Sequence, residues 1–574
     1  MSSRDGTGAG ARGRPEGAHP PVIVAGAGPV GLTAALALAR ARVPCTVLEA
    51  EDARGAAYFR STGSKAICFQ RDILDVFDRL GAGRSVIAEG TTWTTARTYY
   101  KGREVRTVTF PAGAGGGEGL LPPWINISQA RVEEELLAAA TAHPGIDLRF
   151  GHRVVGIAQD GEPDGDGAGA WSGGGGDGLL VEAETPGGTV RMRASHLVGA
   201  DGPRSAVRTL TGVPFPGDSF GDRFLICDIR ADLPFPNERR FHFDPEWNPG
   251  RQVLVHQCPD STWRIDWQVP DGYDLEAERR SGALDERIRK IVGDGDYTLV
   301  WSSVYRFHER CAERMRVGRV LLAGDAAHLY APFGARGLNS GVQDAENLAW
   351  KIACALRAPD PAAADALLET YHSERWAAAR ENLRVTGDTM RFLVPHTEED
   401  RRRRREVLER ALEDPRAGDR IDSGKLAEPF RYADSPLTTP AGPVPPQARP
   451  EAPAPGDICP DALCTPADAA KGPRVRLRSL FGPGFTVIAH KEADAAAAAR
   501  ECTGLPADVA PLALERVDTS GAAADALGHP QGTVFAVRPD AHLCAVLPPG
   551  TPPGRVRSAI ERACGARAPA RRGR

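Results

Sequence analysis

Apolar and polar positions alternate with different periods along the chain, and the changes of period mark its parts. Val22-Ile-Val24, β-branched and bounded by turn residues, predicts a buried parallel strand. Leu32–Arg40, built from good helix formers, predicts a helix that ends before Pro44, and Cys45–Leu48 predicts a second strand. Helices are expected over Gln70–Leu80, with Ile73, Leu74, Phe77 and Leu80 on one face, and over Ala130–Ala142. Leu148–Ile157 and Leu179–Glu184 read as strands flanking a low-complexity insert, Asp160–Gly178. From Phe220 to Tyr305 the period falls to two. There, Val253–Cys258 and Trp263–Val269 predict a hairpin with Leu254, His256 and Cys258 on one face of the first strand, and Arg264, Asp266 and Gln268 on one face of the second. Val320–Ala323 predicts another buried strand, followed by a helix from about Ser340 with Ala345, Leu348, Ala349 and Ile352 on its core face. Arg401–Arg405, set between acidic residues, predicts a solvated helix rather than a nucleic-acid patch. After the Pro/Ala stretch Pro440–Pro455, a smaller α/β pattern follows: strand Phe485–Ala489, helix Ala495–Cys502, strand Thr533–Val537 and a last helix from Arg555.

These boundaries divide the chain into a tail (1–20) and a discontinuous α/β domain (21–110, 120–215 and 306–395) with a β-sheet domain (216–305) inserted in it. A helical connection (396–439), a Pro-rich linker (440–456) and a C-terminal domain (457–574) complete the division. A length of 574 residues is ample for this plan. The net charge of −4 gives no reason to expect nucleic acid or an acidic membrane as partner. No run of about eighteen apolar residues predicts a membrane span, and the first residues lack the apolar core of a signal peptide. Eleven cysteines without a framework spacing read as reduced thiols of a cytoplasmic protein. No metal-ligand set stands out.

Chemistry enters at the first strand. Gly26-Ala-Gly28-Pro-Val-Gly31 follows Val22–Val24 and opens a helix, so Gly26 permits the tight turn, Gly28 lets backbone approach a pyrophosphate and Gly31 lets helix pack on strand. Glu49, at the end of the second strand, is the acid such a unit directs at a ribose hydroxyl. Gly173–Gly178 has the same glycine spacing but lacks the strand–turn–helix context, and is set aside. Gln129 stands where an amide can reach a bound nucleotide. Ala200-Asp201-Gly202 follows a short apolar strand, with a helix cap as the bland alternative for Asp201. Gly324-Asp325 ends the later strand and leads into a glycine-studded loop at a helix N-terminus, suited to an anionic ligand. The two turns, almost 300 residues apart, suggest two strands of one sheet gripping opposite ends of one long cofactor.

With Gly26–Gly31, Ala200–Gly202 and Leu322-Ala-Gly-Asp-Ala-Ala-His328…Pro332-Phe-Gly…Gly-Leu-Asn339 in this order, the chain resembles the single-component FAD-dependent aromatic hydroxylases. These are the para-hydroxybenzoate hydroxylase-like flavoprotein monooxygenases. Ser64-Lys-Ala-Ile-Cys-Phe-Gln70 is most similar to the branch of phenylpropionate hydroxylases and natural-product tailoring oxygenases. The resemblance covers Val22 to Asn382 and implies an α/β fold (α+β in the substrate region): a Rossmann-like FAD domain, an antiparallel-sheet substrate domain and a C-terminal thioredoxin-like domain. Cys459 and Cys464 lack the spacing of a redox dithiol, so a packing or oligomerisation role, compatible with a homodimer, is expected of that last domain. The resemblance further implies non-covalent FAD held by Gly26, Gly28, Gly31, Glu49, Lys65, Gln129, Asp201, Gly324, Asp325, Pro332, Gly337, Leu338 and Asn339. Lys65 stands where many relatives carry arginine. His256, Cys258 and Asp266 fall where relatives line the substrate pocket.

The activity implied is hydroxylation of a phenolic or polyaromatic substrate. NADH or NADPH, binding transiently, reduces the flavin; O2 adds at its C4a atom, and the hydroperoxide delivers one oxygen atom. His256 is the candidate for favouring the phenolate, because an imidazole titrates in the useful range. Its competing role is that of a satisfied structural histidine. Three other readings share the scaffold: Baeyer–Villiger insertion into a ketone, a flavin dehydrogenase without oxygen insertion, and a non-enzymatic nucleotide-binding remnant.

Overall fold

Val22–Ala25 forms the strand from which the first domain is built, and its residues are almost wholly excluded from solvent. The computed structural model describes residues 19–52, 65–110, 119–159, 178–442, 445–467 and 473–565, and structural statements concern these. The 1–18 tail, the residues before Lys65 in its motif, most of the glycine-rich loop after Phe110 and most of the 160–178 insert lie outside them.

Val22–Ala25 pairs in parallel with Cys45–Leu48 on one side and Leu197–Gly199 on the other. The six-stranded sheet runs in the order Arg316–Val317, Val320–Leu322, Leu197–Gly199, Val22–Ala25, Cys45–Leu48, Ile146–Arg149, with only the first pairing antiparallel. The two nucleotide-type turns thus leave the same edge of one sheet, one strand apart. Helices Pro29–Arg40 and Gly337–Arg357 pack against each other over that sheet. The expected strand Leu148–Ile157 is two strands: Ile146–Arg149 closes the parallel sheet, and Arg153–Gln159 joins an antiparallel sheet with Leu179–Thr185 and Gly188–Ala194. The buried Gly151, at φ +64, makes the bend between them.

The second layer is an eight-stranded sheet ordered His328–Leu329, Tyr297–Cys311, Gly217–Ala231, Thr262–Val269, Gln252–Gln257, Arg239–Phe243, Thr95–Tyr100, Arg103–Thr109. Its boundaries correct the expected 216–305. The Thr95–Thr109 hairpin, expected in the nucleotide domain, pairs in parallel with Arg239–Phe243. The predicted 253–269 hairpin forms, with Leu254 opposite Asp266 and His256 opposite Arg264. One face of this sheet carries Val253, Val255, Trp263, Ile265 and Trp267 and is covered by Leu284 and Ile288 of helix Ala283–Val292. The other face turns to the nucleotide domain.

Past the long helix Pro361–Leu393, the arginine run lies in helix Glu398–Glu413, capped by Thr397. The C-terminal domain has a four-stranded sheet ordered Val509–Ala513, Phe485–Ala489, Val534–Val537, Leu543–Leu547, with the first pair parallel and the others antiparallel. It packs on the first domain through Trp350, Cys354 and Leu367. All eleven cysteines are free, and Cys459 and Cys464 are buried. No described helix is long and apolar enough to cross a membrane.

Candidate active site

Between the parallel sheet and the eight-stranded sheet lies a cavity of about 1480 Å³. Pockets for one small ligand rarely exceed about 1,000 Å³, so this volume accommodates a long cofactor together with a second molecule.

One end is built by the glycine turns. Gly26 has φ +98, and a Cβ there would stand 2.4 Å from the Ala200 carbonyl oxygen, so the neighbouring strand excludes any side chain. Gly31 acts through packing, as expected: a Cβ on it would lie 1.9 Å from the Gly26 oxygen. Glu49 closes the turn from the side, its carboxylate accepting from Ala27 N at 2.8 Å and Glu51 N at 3.1 Å. Helix Pro29–Arg40 begins at Gly28, helix Gly337–Arg357 begins at Arg336, and neither N-terminus has a side-chain cap. Beyond the Cβ positions of Gly28 and Gly337 there is open space, and both residues line the cavity. Two helix N-termini offering backbone N–H groups to one cavity form a donor set suited to a dinucleotide pyrophosphate, and the residues present fit FAD.

Of the residues expected around the cofactor, Gly26, Gly28, Glu49, Lys65, Gln129, Asp201, Asp325, Pro332, Gly337, Leu338 and Asn339 all line this cavity. Gly31 and Gly324 lie behind its wall. The Gly324 N–H donates to Asp344 Oδ2 at 3.0 Å, and the same oxygen takes His328 Nε2 at 2.6 Å, while Arg375 Nε donates to Asp344 Oδ1 at 2.6 Å. This buried anchor under the Gly324-Asp325 turn was not foreseen, although Asp344 stands in the helix that the motif opens. Burial pushes the Asp325 carboxyl above its ordinary range, against the pull of Lys65 and His328. Asp201 also serves its bland alternative: Ser205 Oγ at 2.5 Å and Val207 N at 3.0 Å both donate to it at the start of helix Ala206–Leu210. Asn339 ties the second loop to strand Cys68–Gln70, donating to the Cys68 carbonyl at 3.0 Å and accepting from Gln70 N at 3.3 Å. Gln129 accepts from Ala66 N at 3.0 Å.

The far wall is the open face of the eight-stranded sheet, where alternation brings Phe224, Ile226, Arg239, Phe241, Leu254, His256, Arg264 and Asp266 together. Arg264 is held by Asp228 through two hydrogen bonds of 2.8 and 2.7 Å. The premise for His256 does not hold. Burial, with Arg239 and Arg264 as neighbouring cations, keeps its imidazole well below the ordinary histidine range, so it is neutral at physiological pH. Cys258 is likewise corrected: it follows the end of its strand, is buried behind the wall, and burial pushes its thiol up to about 12. Asp266 does face the cavity, and burial raises its carboxyl to about 7.

A third wall escaped the sequence reading. Residues 419–428, expected only as helical connection, line the cavity as a strap that leaves the end of the 3-10 helix Pro415–Arg420 and runs on without regular structure. Ala427 N donates to the Gly334 oxygen at 3.1 Å, Arg336 to the Lys425 oxygen at 2.8 Å, and Gln70 Nε2 to the Ala427 oxygen at 2.6 Å. Arg239 donates to the Ser423 carbonyl and Arg106 to that of Ile421, at 2.9 Å for the latter. The strap therefore fastens the loop at Gly334–Arg336 to the eight-stranded sheet.

A cradle for a dinucleotide facing a mixed aromatic and polar wall defines a flavoprotein that handles an organic substrate. The chain belongs to the FAD-binding domain family, whose model matches residues 19–386, and FAD is its cofactor. It is 33% identical over 390 residues, 64% of this chain and 73% of the relative, to a flavin-dependent monooxygenase of Mycobacteroides abscessus. Over 561 residues, 92% of this chain and 91% of the relative, it is 28% identical to 6-methylpretetramide 4-monooxygenase of Streptomyces rimosus. Among solved structures it shares its fold with the flavin-dependent monooxygenase PieE in complex with FAD and substrate, at a TM-score of 0.75 and 23% identity, covering 96% of this chain and 99% of that one.

Proposed function

We propose that this protein is an FAD-dependent monooxygenase that hydroxylates a phenolic, polycyclic aromatic substrate, using NADH or NADPH as transient reductant and O2 as oxygen source. The observation that carries it is the continuity of one cavity from the uncapped helix N-termini at Gly28 and Gly337 to the aromatic wall at Phe224, Phe241 and Phe307. Gly26, Gly28, Glu49 and Asp325 would hold the dinucleotide, with Pro332 and Gly337–Asn339 at its other end. When bound, the flavin supplies the redox and oxygen-activating chemistry. The chain's own part is to hold the aromatic rings between Phe224, Phe241 and Phe307 and to keep water out behind the 419–428 strap. The size of the cavity and the likeness over nine-tenths of the chain to 6-methylpretetramide 4-monooxygenase support a substrate larger than a single ring. The order of strands and helices in the C-terminal sheet supports a thioredoxin-like domain, whose buried, separated cysteines suit packing rather than redox work.

The test is turnover of the FAD-loaded protein with 6-methylpretetramide and 4-nitrophenol under isotopically labelled dioxygen. The expected product carries one labelled oxygen on an aromatic carbon, located by NMR. Oxidation of NADH with peroxide release and unchanged aromatics for both compounds would overturn the reading.

A further inference from the structure

Among the described residues, Asp266 is a carboxyl on the cavity face of the eight-stranded sheet that forms no ion pair of its own. Its cross-strand neighbours on that face are aliphatic, Leu254 on one side and Ile226 on the other. The nearby Arg264 sits between His256 and Asp228, and two hydrogen bonds commit its guanidinium to Asp228. Arg239, the next cation along the wall, donates to the backbone and side chain of Ser423 in the strap. Asp266 Oδ1 is shut off from solvent and has no hydrogen-bond partner. A buried carboxylate oxygen without a donor is costly, and it persists where a ligand supplies the donor.

We propose that Asp266 receives the hydroxyl hydrogen of the bound aromatic substrate at Oδ1 and is the proton-accepting catalytic residue of this enzyme. The inference rests on the aromatic-oxygenase reading above and deepens it. The transfer is a proton transfer alone: the phenolic O–H bond breaks, an O–H bond forms on the carboxylate, and the ring gains the electron density of a phenolate. The proton returns to the product oxygen, which regenerates the carboxylate in each turnover. The surroundings suit this exchange. Burial and Asp228 raise the carboxyl while Arg264 and Arg239 lower it, leaving it at about 7, where a proton is taken up and released at little cost. The other titratable groups around this patch do not compete: burial, Arg239 and Arg264 hold His256 well below the ordinary histidine range and so make it a weak base, burial pushes the thiols of Cys68 and Cys258 up to about 12, and burial raises the Tyr305 phenol on strand Tyr297–Cys311. Lys65, whose carbonyl accepts from Arg264, carries its ammonium over the Tyr305 ring at 5.9 Å.

The experiment compares FAD-loaded wild type, Asp266→Asn and Asp266→Glu with 6-methylpretetramide and 4-nitrophenol across pH. For the wild type, kcat/KM is expected to rise with pH through about 7. In Asp266→Asn it should fall about a hundredfold and lose that rise, with FAD content retained. Asp266→Glu, which restores the carboxylate on a longer arm, should recover part of the rate and shift the rise along the pH axis. A wild-type rise that survives in Asp266→Asn, or a loss of less than about threefold, would overturn the assignment while leaving the oxygenase reading standing. Failure of the wild type to oxygenate either compound would instead remove that reading, and this inference with it.

Discussion

Asp266 and His256 sit on adjacent strands of one hairpin, yet their surroundings drive their titrations in opposite directions along the pH axis. His256 lies beside Arg264 and near Arg239, which disfavour a third positive charge. Asp266 lies between Leu254 and Ile226, which disfavour a negative one. In the unfolded chain the Asp266 carboxyl ionises in the ordinary range, whereas the folded protein holds its proton up to about 7. The native state therefore binds more protons in between, and its stability falls as pH rises through that window. Relative to wild type, Asp266→Asn should gain roughly 1–4 kcal/mol between about pH 5 and pH 8, read from urea midpoints. A gap that does not change with pH would show the carboxyl to be unperturbed. For His256→Gln the expected outcome is an unaltered pH–rate profile, because a group already neutral has no titration to lose; a displaced limb would restore histidine to the proton chemistry. The face these residues share was legible in the sequence, because a period of two fixes it. Their titration was not, because the partner that consumes Arg264 is Asp228, 36 residues earlier on another strand.

Among the elements, the two glycine turns were readable because each needs a local signal: strand, glycine, then helix. What holds the second turn was not. Asp344 lies about two turns into helix Gly337–Arg357 and receives the Gly324 N–H, His328 and Arg375 at once. Asp344→Ala would leave Arg375 buried without its carboxylate and free the Gly324 turn. A loss of about 3–5 kcal/mol in unfolding free energy and reduced FAD occupancy are expected, measured by denaturant titration and by bound-flavin absorbance. Full occupancy at unchanged stability would remove the anchor from the site. The 419–428 strap escaped the sequence because it has neither helical nor strand period. Its fastenings are backbone carbonyls reached by Gln70, Arg239 and Arg336, long-range pairings that no local pattern encodes.

Across the whole molecule, the C-terminal domain is fixed to the flavin domain by charges at a buried interface. Arg538 donates to Glu374 at 2.7 Å and to Asp540 at 2.6 Å, and Lys351 donates to Glu374 at 2.7 Å. Asp540 accepts from Asn347 at 3.1 Å and Trp350 at 3.0 Å, both on helix Gly337–Arg357. A second patch joins Arg476 to Asp75 at 2.7 Å and to Asp78, and Arg478 to Asp72. The helix that opens at the cofactor loop is thus gripped at its middle by a domain more than 180 residues later. Arg538→Met takes from Glu374 and Asp540 the one guanidinium they share, leaving them to Lys351, Asn347 and Trp350, and should cost about 3–5 kcal/mol, with unfolding in calorimetry splitting into two transitions if the domains come apart. A single unshifted transition would show the interface to be dispensable. Composition and period announced a separate C-terminal domain; they carried no sign of where it docks, since its partners are single polar and charged residues on helices hundreds of residues earlier, which no local pattern pairs with it.

The claim on which all of this depends is that the turns at Gly26 and Gly324 hold one FAD in a cavity that opens onto the substrate sheet. A crystal structure of the protein grown with FAD tests it most directly. The pyrophosphate should lie against the backbone of Gly28, and the ring system should lie beside Pro332 and Leu338, facing Phe241 and Asp266. An adenine end bound at Gly28 with the ring system turned away from that wall, or a protein that takes up no flavin, would be the opposing result.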